Sequence, residues 1–127
     1  SLYGNGGNDL LNGGAGKDAL VGGDGNDQFI FNTALNASTN VDTITDYVSG
    51  EDRIVLENAI FTALGAGAVA ADRFAIGAAQ DGNDNIIYNA TTGALFYDAD
   101  GTGSAAAIQF AAVTAGLTLS NVDFFVV

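Results

Sequence analysis

Three aspartates recur near the start of the chain at a spacing of nine residues, namely Asp9, Asp18 and Asp27. Each follows a stretch rich in glycine and asparagine, and a large apolar residue stands two positions after it. The pattern GGxGxDxUx, with U apolar, therefore occurs three times over residues 4–30. Such residues could bring carboxylates and backbone carbonyls together in an all-oxygen site. Calcium binds about six to eight oxygens in flexible geometry, whereas magnesium requires a stricter octahedron.

The repeats also predict the elements that would hold these oxygens. Glycine favours tight turns at positive φ, and Asn5, which replaces a glycine in the first repeat, is the best substitute there. Three residues then remain for a short strand, whose middle side chain points inward while its neighbours point outward. Because two repeats complete one coil, the turns at residues 4–9 and 22–27 should lie one above the other. The expected stacked pairs of inward side chains are Leu2 with Leu20 and Leu11 with Phe29.

Metal binding is expected to couple to the folding of these turns. Without an ion, stacked carboxylates would repel one another and the inward carbonyls would lack partners, so the turns should be loose until the metal binds. A plain linker rich in Gly, Asn and Asp is the alternative interpretation, and a single GxGxD would fit it. Three repeats in register, with apolar residues on the same period, favour the metal-binding coil.

The composition narrows the possible functions. The net charge is −12, from three Lys and Arg against fifteen Asp and Glu, which argues against nucleic acid and anionic membrane surfaces as partners. The chain has neither cysteine nor histidine, so thiolate metal sites and the commonest general base are excluded. No apolar run approaches the roughly 18 residues of a membrane helix, so no membrane insertion is expected. The chain opens within a repeat and without an N-terminal secretion signal, so a fragment of a longer protein is expected.

The remainder of the chain predicts a second, β-rich block. Its apolar and β-branched segments alternate with turn residues, and proline is absent throughout. The expected fold class is all-β, with a short parallel β-roll over 1–30 packed on an antiparallel, β-sandwich-like segment over 31–127. The predicted elements of this segment are two strands within 41–56 joined by a turn at 49–52, a short helix or turn at 57–64, a hairpin of 85–89 with 94–98, and strands within 105–113 and 124–127.

Three further acidic positions have both a metal-binding and a structural interpretation. Asp42 precedes a predicted strand and could close the last metal site, or it could lie on a solvated strand edge. The segment 81–84 (DGND) echoes half a repeat without its glycine pair, so the entry to a hairpin is favoured. The segment 98–104 resembles the first half of an EF-hand loop, but Gln109 stands where the bidentate glutamate belongs, so a polar turn is favoured. No pair of carboxylates stands out for glycoside hydrolysis.

Residues 4–30 resemble the RTX (repeats-in-toxin) arrays of bacterial proteins exported by type I secretion. The segments VDTITDYVSGEDRIVL and DNIIYNATTGALFYDADGTG are similar to those that follow the array in serralysin-type metalloproteases and related exoproteins. The final residues, an acidic Asp123 followed by Phe-Phe-Val-Val, resemble the uncleaved export signal of that family. The resemblance thus covers nearly the whole chain.

The resemblance implies calcium ions held between stacked turns. Only turn 4–9 has a complete partner among the repeats, at 22–27, and Lys17 places a positive charge beside Asp18, so the half-site at 13–18 is expected to be weaker. Side-chain oxygens would come from the three repeat aspartates, with Asp42 as a further candidate. The implied carbonyl ligands are Gly4 with Gly6, Gly13 with Ala15, Gly22 with Asp24, and Gly23 with Gly25 of the stacked turn.

The expected function is that of a secreted, extracellular calcium-binding module without catalytic activity of its own. Its implied partners are an upstream domain of the same polypeptide and the type I secretion ABC transporter, which would read the C-terminal signal. One alternative is a polysaccharide-binding or adhesion module, although only Lys17, Arg53 and Arg73 could grip an anionic sugar. Another is a purely structural array in a surface layer.

Overall fold

The structure is a computed structural model that describes the whole chain, Ser1–Val127. It contains twelve short strands and two single-turn 3-10 helices, at Ala71–Arg73 and Asn121–Asp123. The expected all-β fold class is therefore confirmed. The strands are β1 (Leu2–Tyr3), β2 (Leu10–Leu11), β3 (Ala19–Val21), β4 (Gln28–Phe31), β5 (Asp42–Ile44), β6 (Arg53–Leu56), β7 (Gly67–Ala68), β8 (Phe74–Ile76), β9 (Ile86–Asn89), β10 (Ala94–Tyr97), β11 (Ile108–Ala112) and β12 (Phe124–Val126).

The repeat strands alternate between two sheets and stack in parallel within each. The larger sheet has the order β1-β3-β5-β11-β10-β9-β8, and the smaller has the order β2-β4-β6-β12-β7. Leu2 pairs with Leu20 in the first sheet, and Leu11 pairs with Phe29 in the second, so both predicted stacks are confirmed. Leu11, Leu20 and Phe29 are almost fully buried, because the middle residue of each short strand points into the roll.

The parallel roll extends beyond the repeats. Strand β5 continues the ladder of β3, with Leu20 beside Ile44, and β6 continues the ladder of β4, with Phe29 beside Ile54. Strand β12 then adds in parallel to β6, which places Phe124 beside Ile54. Both sheets thus cross the division predicted between residues 30 and 31. That division marks the end of the sequence repeat and not the end of the roll.

An antiparallel hairpin completes the larger sheet. Strands β9 and β10 pair with Leu95 opposite Tyr88, as the sequence predicted, and β10 continues antiparallel to β11. Strand β8, which the sequence analysis missed, pairs in parallel with β9. The segment 57–64 forms turns, in which Phe61 donates its amide to the Glu57 carbonyl at 2.9 Å. The rings of Phe61, Tyr97 and Phe110 then meet edge to face in the core.

Candidate metal centre

Three turns lie one above another along one edge of the roll, at residues 4–9, 22–27 and 45–52. Each connects a strand of the larger sheet to a strand of the smaller one, so the strand ladders fix their order. The first two approach closely: Gly6 pairs with Asp24, and the Asp24 amide donates to the Asn5 carbonyl at 3.0 Å. The stacking of turns predicted from the repeat is therefore confirmed.

The opposite edge carries two layers, the turn at 13–18 and the longer connection at 32–41. The Gly16 amide donates to Asn40 Oδ1 at 3.1 Å, which ties the two layers together. Turn 13–18 has no repeat beneath it in this chain, as expected. It has instead a downstream partner that does not match the repeat pattern.

A ladder of carboxylates joins the layers on both edges. The Asp9 amide donates to Asp27 Oδ1 at 2.9 Å, and the Asp27 amide donates in turn to Asp52 Oδ1 at 3.0 Å. On the opposite edge, the Asp18 amide donates to Asp42 Oδ1 at 2.9 Å. One oxygen of each accepting carboxylate, on Asp27, Asp42 and Asp52, therefore fixes the spacing between coils.

The second oxygens of the three repeat aspartates are buried and have no hydrogen-bond partner. These atoms are Oδ2 of Asp9, Asp18 and Asp27, and the Asp27 side chain is only 1% exposed. A buried carboxylate oxygen without a partner costs folding free energy, because it has lost its hydration. A cation bound beside it would remove that cost. The period-nine aspartates of the sequence are thus the residues at which a bound cation would remove this cost.

Two of these free oxygens, those of Asp9 and Asp18, converge with a second oxygen from the adjacent layer. Asp9 Oδ2 and the Gly22 carbonyl oxygen both lie 2.6 Å from the point where a β-carbon would stand on Gly4. Asp18 Oδ2 and Asp42 Oδ2 lie 2.9 Å and 3.0 Å from the equivalent point on Gly13. The donors that meet are oxygens alone, carboxylate and carbonyl, and this set suits calcium. The residues present therefore fit that ion.

Asp42 belongs to this arrangement and is not on a solvated strand edge. Its side chain is 3% exposed, and burial raises its pKa, with the negative charge of Asp18 adding to the shift. The two carboxylates repel one another across the layers unless a cation or a proton lies between them. No group of three or more acidic side chains converges in the chain, so a metal ion here would need further oxygen ligands, such as backbone carbonyls.

The third turn contributes two aspartates, Asp46 and Asp52, that were not predicted as site residues. Asp46 accepts the Gly22 and Gly23 amides, at 2.9 Å and 2.8 Å, and so closes the start of turn 22–27. Asp52 is buried and occupies the place of the repeat aspartate one coil higher. A signal for it exists in the sequence: Asp52 stands two residues before the buried Ile54, the same spacing as in the repeats.

The implied carbonyl ligands lie in the stacked turns, but the other acidic segments do not join them. Turn 81–84 packs against 98–102, where the Thr102 amide donates to the Asp81 carbonyl at 3.2 Å. Asp84 Oδ2 accepts the Gln80 amide at 2.6 Å, so this carboxylate shapes its own turn. Asp98 Oδ1 accepts the Asp100 amide at 3.3 Å, while Asp100 Oδ1 is buried without a partner. This pair lies outside the roll, at the far end of the β9–β10 hairpin.

The basic residues do not form a common binding face. Arg53 lies over the ring of Phe125, with 5.5 Å between its guanidinium carbon and the ring centroid. Arg73 donates to Asn85 Oδ1 at 2.9 Å. Both arginines are thus engaged within the chain, whereas Lys17 is exposed.

Close approach of the stacked turns gives a direct mutational test. Gly25 and Gly7 hold the same repeat position and both have positive φ, +121° and +97°. A β-carbon on Gly25 would overlap the Gly7 carbonyl, whereas one on Gly7 would meet nothing within 4 Å. Gly25→Ala should lower the free energy of unfolding by about 3 kcal/mol, and Gly7→Ala by about 1 kcal/mol, because only the former adds steric overlap to backbone strain. Urea denaturation in calcium measures both; equal losses would show that the turns do not stack this closely.

Comparison with known proteins agrees with the geometry. Residues 7–126 match the family model described as Peptidase M10 serralysin C terminal. The domain that defines this family is a non-catalytic, RTX-type calcium-binding module of secreted, extracellular proteins. No individually curated protein matches the chain. Because the match spans nearly all of it, the chain belongs to the serralysin C-terminal family of the M10 peptidases.

Proposed function

We propose that this chain is a calcium-triggered folding and export module of a larger exoprotein. The observation that carries the proposal is the set of unpartnered, buried Oδ2 atoms on Asp9, Asp18 and Asp27. Asp9 and Asp27 would hold one ion between turns 4–9 and 22–27, with carbonyls of those turns. Asp18 and Asp42 would hold another on the opposite edge. Calcium supplies the positive charge that these oxygens lack.

The proposal separates an unfolded state before export from a folded state after it. In a bacterial cytosol with little free calcium, the carboxylates would repel one another, and the chain would remain fit for translocation. Outside the cell, calcium would close the roll. A site with a Kd of about 0.1 mM gains only about 1.4 kcal/mol from about 1 mM calcium, so several coupled sites are needed for a sharp transition.

A calcium-binding measurement tests the core of this proposal. Isothermal titration of the chain with calcium should show binding in the submillimolar to millimolar range, with heat from coupled folding. Magnesium at the same concentrations is the control, and it should bind far more weakly because it keeps its own waters and strict geometry. Equal heats for the two ions, or none for calcium, would refute the proposed site.

Export would use the C-terminal segment and the type I ABC transporter as partner. The family membership and the Asp-Phe-Phe-Val-Val ending at 123–127 support this part of the proposal. None of the helices is long and apolar enough to cross a membrane. In cells that carry a type I exporter, a reporter fused upstream of Ser1 should reach the medium, and deletion of 123–127 should keep it inside. Equal export of both fusions would overturn the assignment.

Acid is expected to diminish the effect of calcium. Burial raises the pKa of Asp42 and of Asp52 above the model-peptide value of 3.8. The folded chain therefore binds protons more readily than the unfolded chain. Without calcium, the free energy of unfolding should rise as the pH falls through these raised pKa values towards 3.8, and this added stability is lost as the pH rises. Calcium requires deprotonated carboxylates, so its affinity falls over the same window.

Circular dichroism measures this pH dependence. The difference in β signal between the chain in calcium and the chain in EGTA should shrink steadily from about pH 7 to about pH 4.5, because both effects act in the same direction. A difference that is constant or grows over this range would contradict carboxylate ligation.

A further inference from the structure

A buried carboxylate links the start of the C-terminal segment to the roll, in addition to the pairing of β12 with β6 and β7. Asp123 is 2% exposed, and its Oδ1 accepts the hydroxyls of Tyr47 at 2.9 Å and Ser49 at 2.8 Å. Its Oδ2 accepts the amide of Ser120 at 2.8 Å. The two hydroxyl donors lie 74 and 76 residues away along the chain, and both belong to turn 45–52. The segment proposed above as an export signal thus contains a residue that contacts the folded roll.

Turn 45–52 in turn holds the metal-binding turn below it. Asp46 accepts the Gly22 and Gly23 amides, and Asp52 Oδ1 accepts the Asp27 amide. The Tyr47 hydroxyl, which faces Asp123, also lies 3.0 Å from the Asp52 carbonyl oxygen. Turn 45–52 is therefore hydrogen-bonded on one side to the C-terminal carboxylate and on the other to the turn that carries the unpartnered Asp27 Oδ2.

We propose that Asp123 is a positioning residue for the calcium site at turns 4–9 and 22–27, and that calcium at this site locks the C-terminal segment against the roll. The inference rests on the proposed calcium binding. Asp123 fixes turn 45–52, which fixes the backbone of turn 22–27 and with it Asp27. Coupling between two sites is reciprocal, so the factor by which docking of the segment tightens calcium binding equals the factor by which calcium tightens docking.

The opposite edge provides an internal comparison. Asp18 and Asp42 approach each other on the side of the roll away from Asp123, and neither contacts turn 45–52 by a hydrogen bond. A general loss of stability would weaken both edges alike. A positioning effect through turn 45–52 would weaken turn 22–27 and spare turn 13–18.

Hydrogen exchange during a calcium titration of the full chain tests the inference. Asp123→Asn keeps the shape of the side chain but removes its charge and one of its two acceptor oxygens, so it cannot accept from the two hydroxyls and from the Ser120 amide together. The calcium concentration at which the amides of residues 22–27 become half protected from exchange should rise about tenfold. The corresponding concentration for residues 13–18 should change less than about twofold. Residues 120–127 of the unaltered chain should gain protection at the same midpoint as residues 22–27. Asp72→Asn, an exposed carboxylate of equal charge, is the matched control and should shift neither midpoint.

A milder variant protects the test against misfolding. Tyr47→Phe removes one hydroxyl but keeps the ring packed 6.1 Å from Phe29, centroid to centroid, and should move the midpoint of residues 22–27 in the same direction by about threefold. Equal shifts at both edges, or no shift, would overturn the positioning role and leave calcium binding intact. An unaltered chain without any calcium midpoint would overturn the proposed function, and this inference with it.

Discussion

Removal of calcium is expected to convert the roll from folded strands into a largely unfolded chain. In EGTA the buried oxygens of Asp9, Asp18 and Asp27 would have neither a cation nor a hydrogen-bond donor, and the carboxylates of successive layers would repel one another. The strands of the roll contain only two to four residues each, so they cannot offset this cost alone. Far-UV circular dichroism should lose most of its β signal in EGTA and regain it when excess calcium is added.

Two observations distinguish this result from a general effect of salt. Magnesium at equal concentration should restore little of the β signal, because the irregular carbonyl and carboxylate oxygens of the turns suit calcium better. The recovery should be steep in calcium concentration, because ions on both edges stabilise the same strands. Equal strand content in EGTA and in calcium would show that the roll folds without metal and would remove the basis of the calcium switch.

Asp27→Asn should destabilise the fold in calcium but stabilise it in the absence of calcium. In calcium, the substitution removes a charged ligand, and the affinity of the site between turns 4–9 and 22–27 should fall at least about 100-fold, since even changes around metal ligands cost about 10-fold to 100-fold. In EGTA, the neutral amide removes a buried negative charge that no cation balances, so residual structure should become more stable than in the unaltered chain.

Asp24→Asn is the matched control for this experiment. Asp24 lies in the same turn and loses the same charge, but its side chain is exposed and its implied contribution is a backbone carbonyl. Calcium titration and urea denaturation of both variants separate ligation from net charge. If Asp24→Asn and Asp27→Asn weaken calcium binding equally, the effect comes from overall charge and the assignment of Asp27 is wrong.

The repeat residues determined the first coils of the fold because their information is local. A nine-residue period fixes which side chain points inward, and the stacking of Leu2 on Leu20 and of Leu11 on Phe29 follows from it. The hairpin of β9 and β10 was equally readable, since its turn lies between two apolar, β-branched segments. In these parts, short-range pattern and tertiary structure agree.

The next coil was harder to read because its spacing differs. Asp9 and its stacked partner Asp27 are 18 residues apart in the chain. Asp18 and its partner Asp42 are 24 residues apart, and Asp27 and its partner Asp52 are 25 residues apart. The connections before β5 and β6 are longer than those of the repeats, so the nine-residue period is lost. The triplet of Asp, any residue and an apolar residue is nevertheless kept at each of these strands. Asp42 was identified as a candidate ligand, whereas Asp52 would have required a search for the triplet without its glycines.

The position of β12 could not be derived from local sequence. The sequence of 124–126 is typical of an edge strand. In the structure, however, this strand lies between β6 and β7, and it pairs in parallel with β6, which is 70 residues earlier in the chain. Just before it, Asp123 is buried against Tyr47 and Ser49, which lie more than 70 residues earlier in the chain. Non-local polar contacts of this kind carry no periodic signal.

Anomalous X-ray diffraction from crystals grown in calcium would test the central claim most directly. We predict a peak between turns 4–9 and 22–27, about 2.4 Å from Asp9 Oδ2 and Asp27 Oδ2, and another beside Asp18 Oδ2 and Asp42 Oδ2. Turns without any anomalous peak at saturating calcium, with these oxygens bound to water or to a lysine instead, would contradict the account.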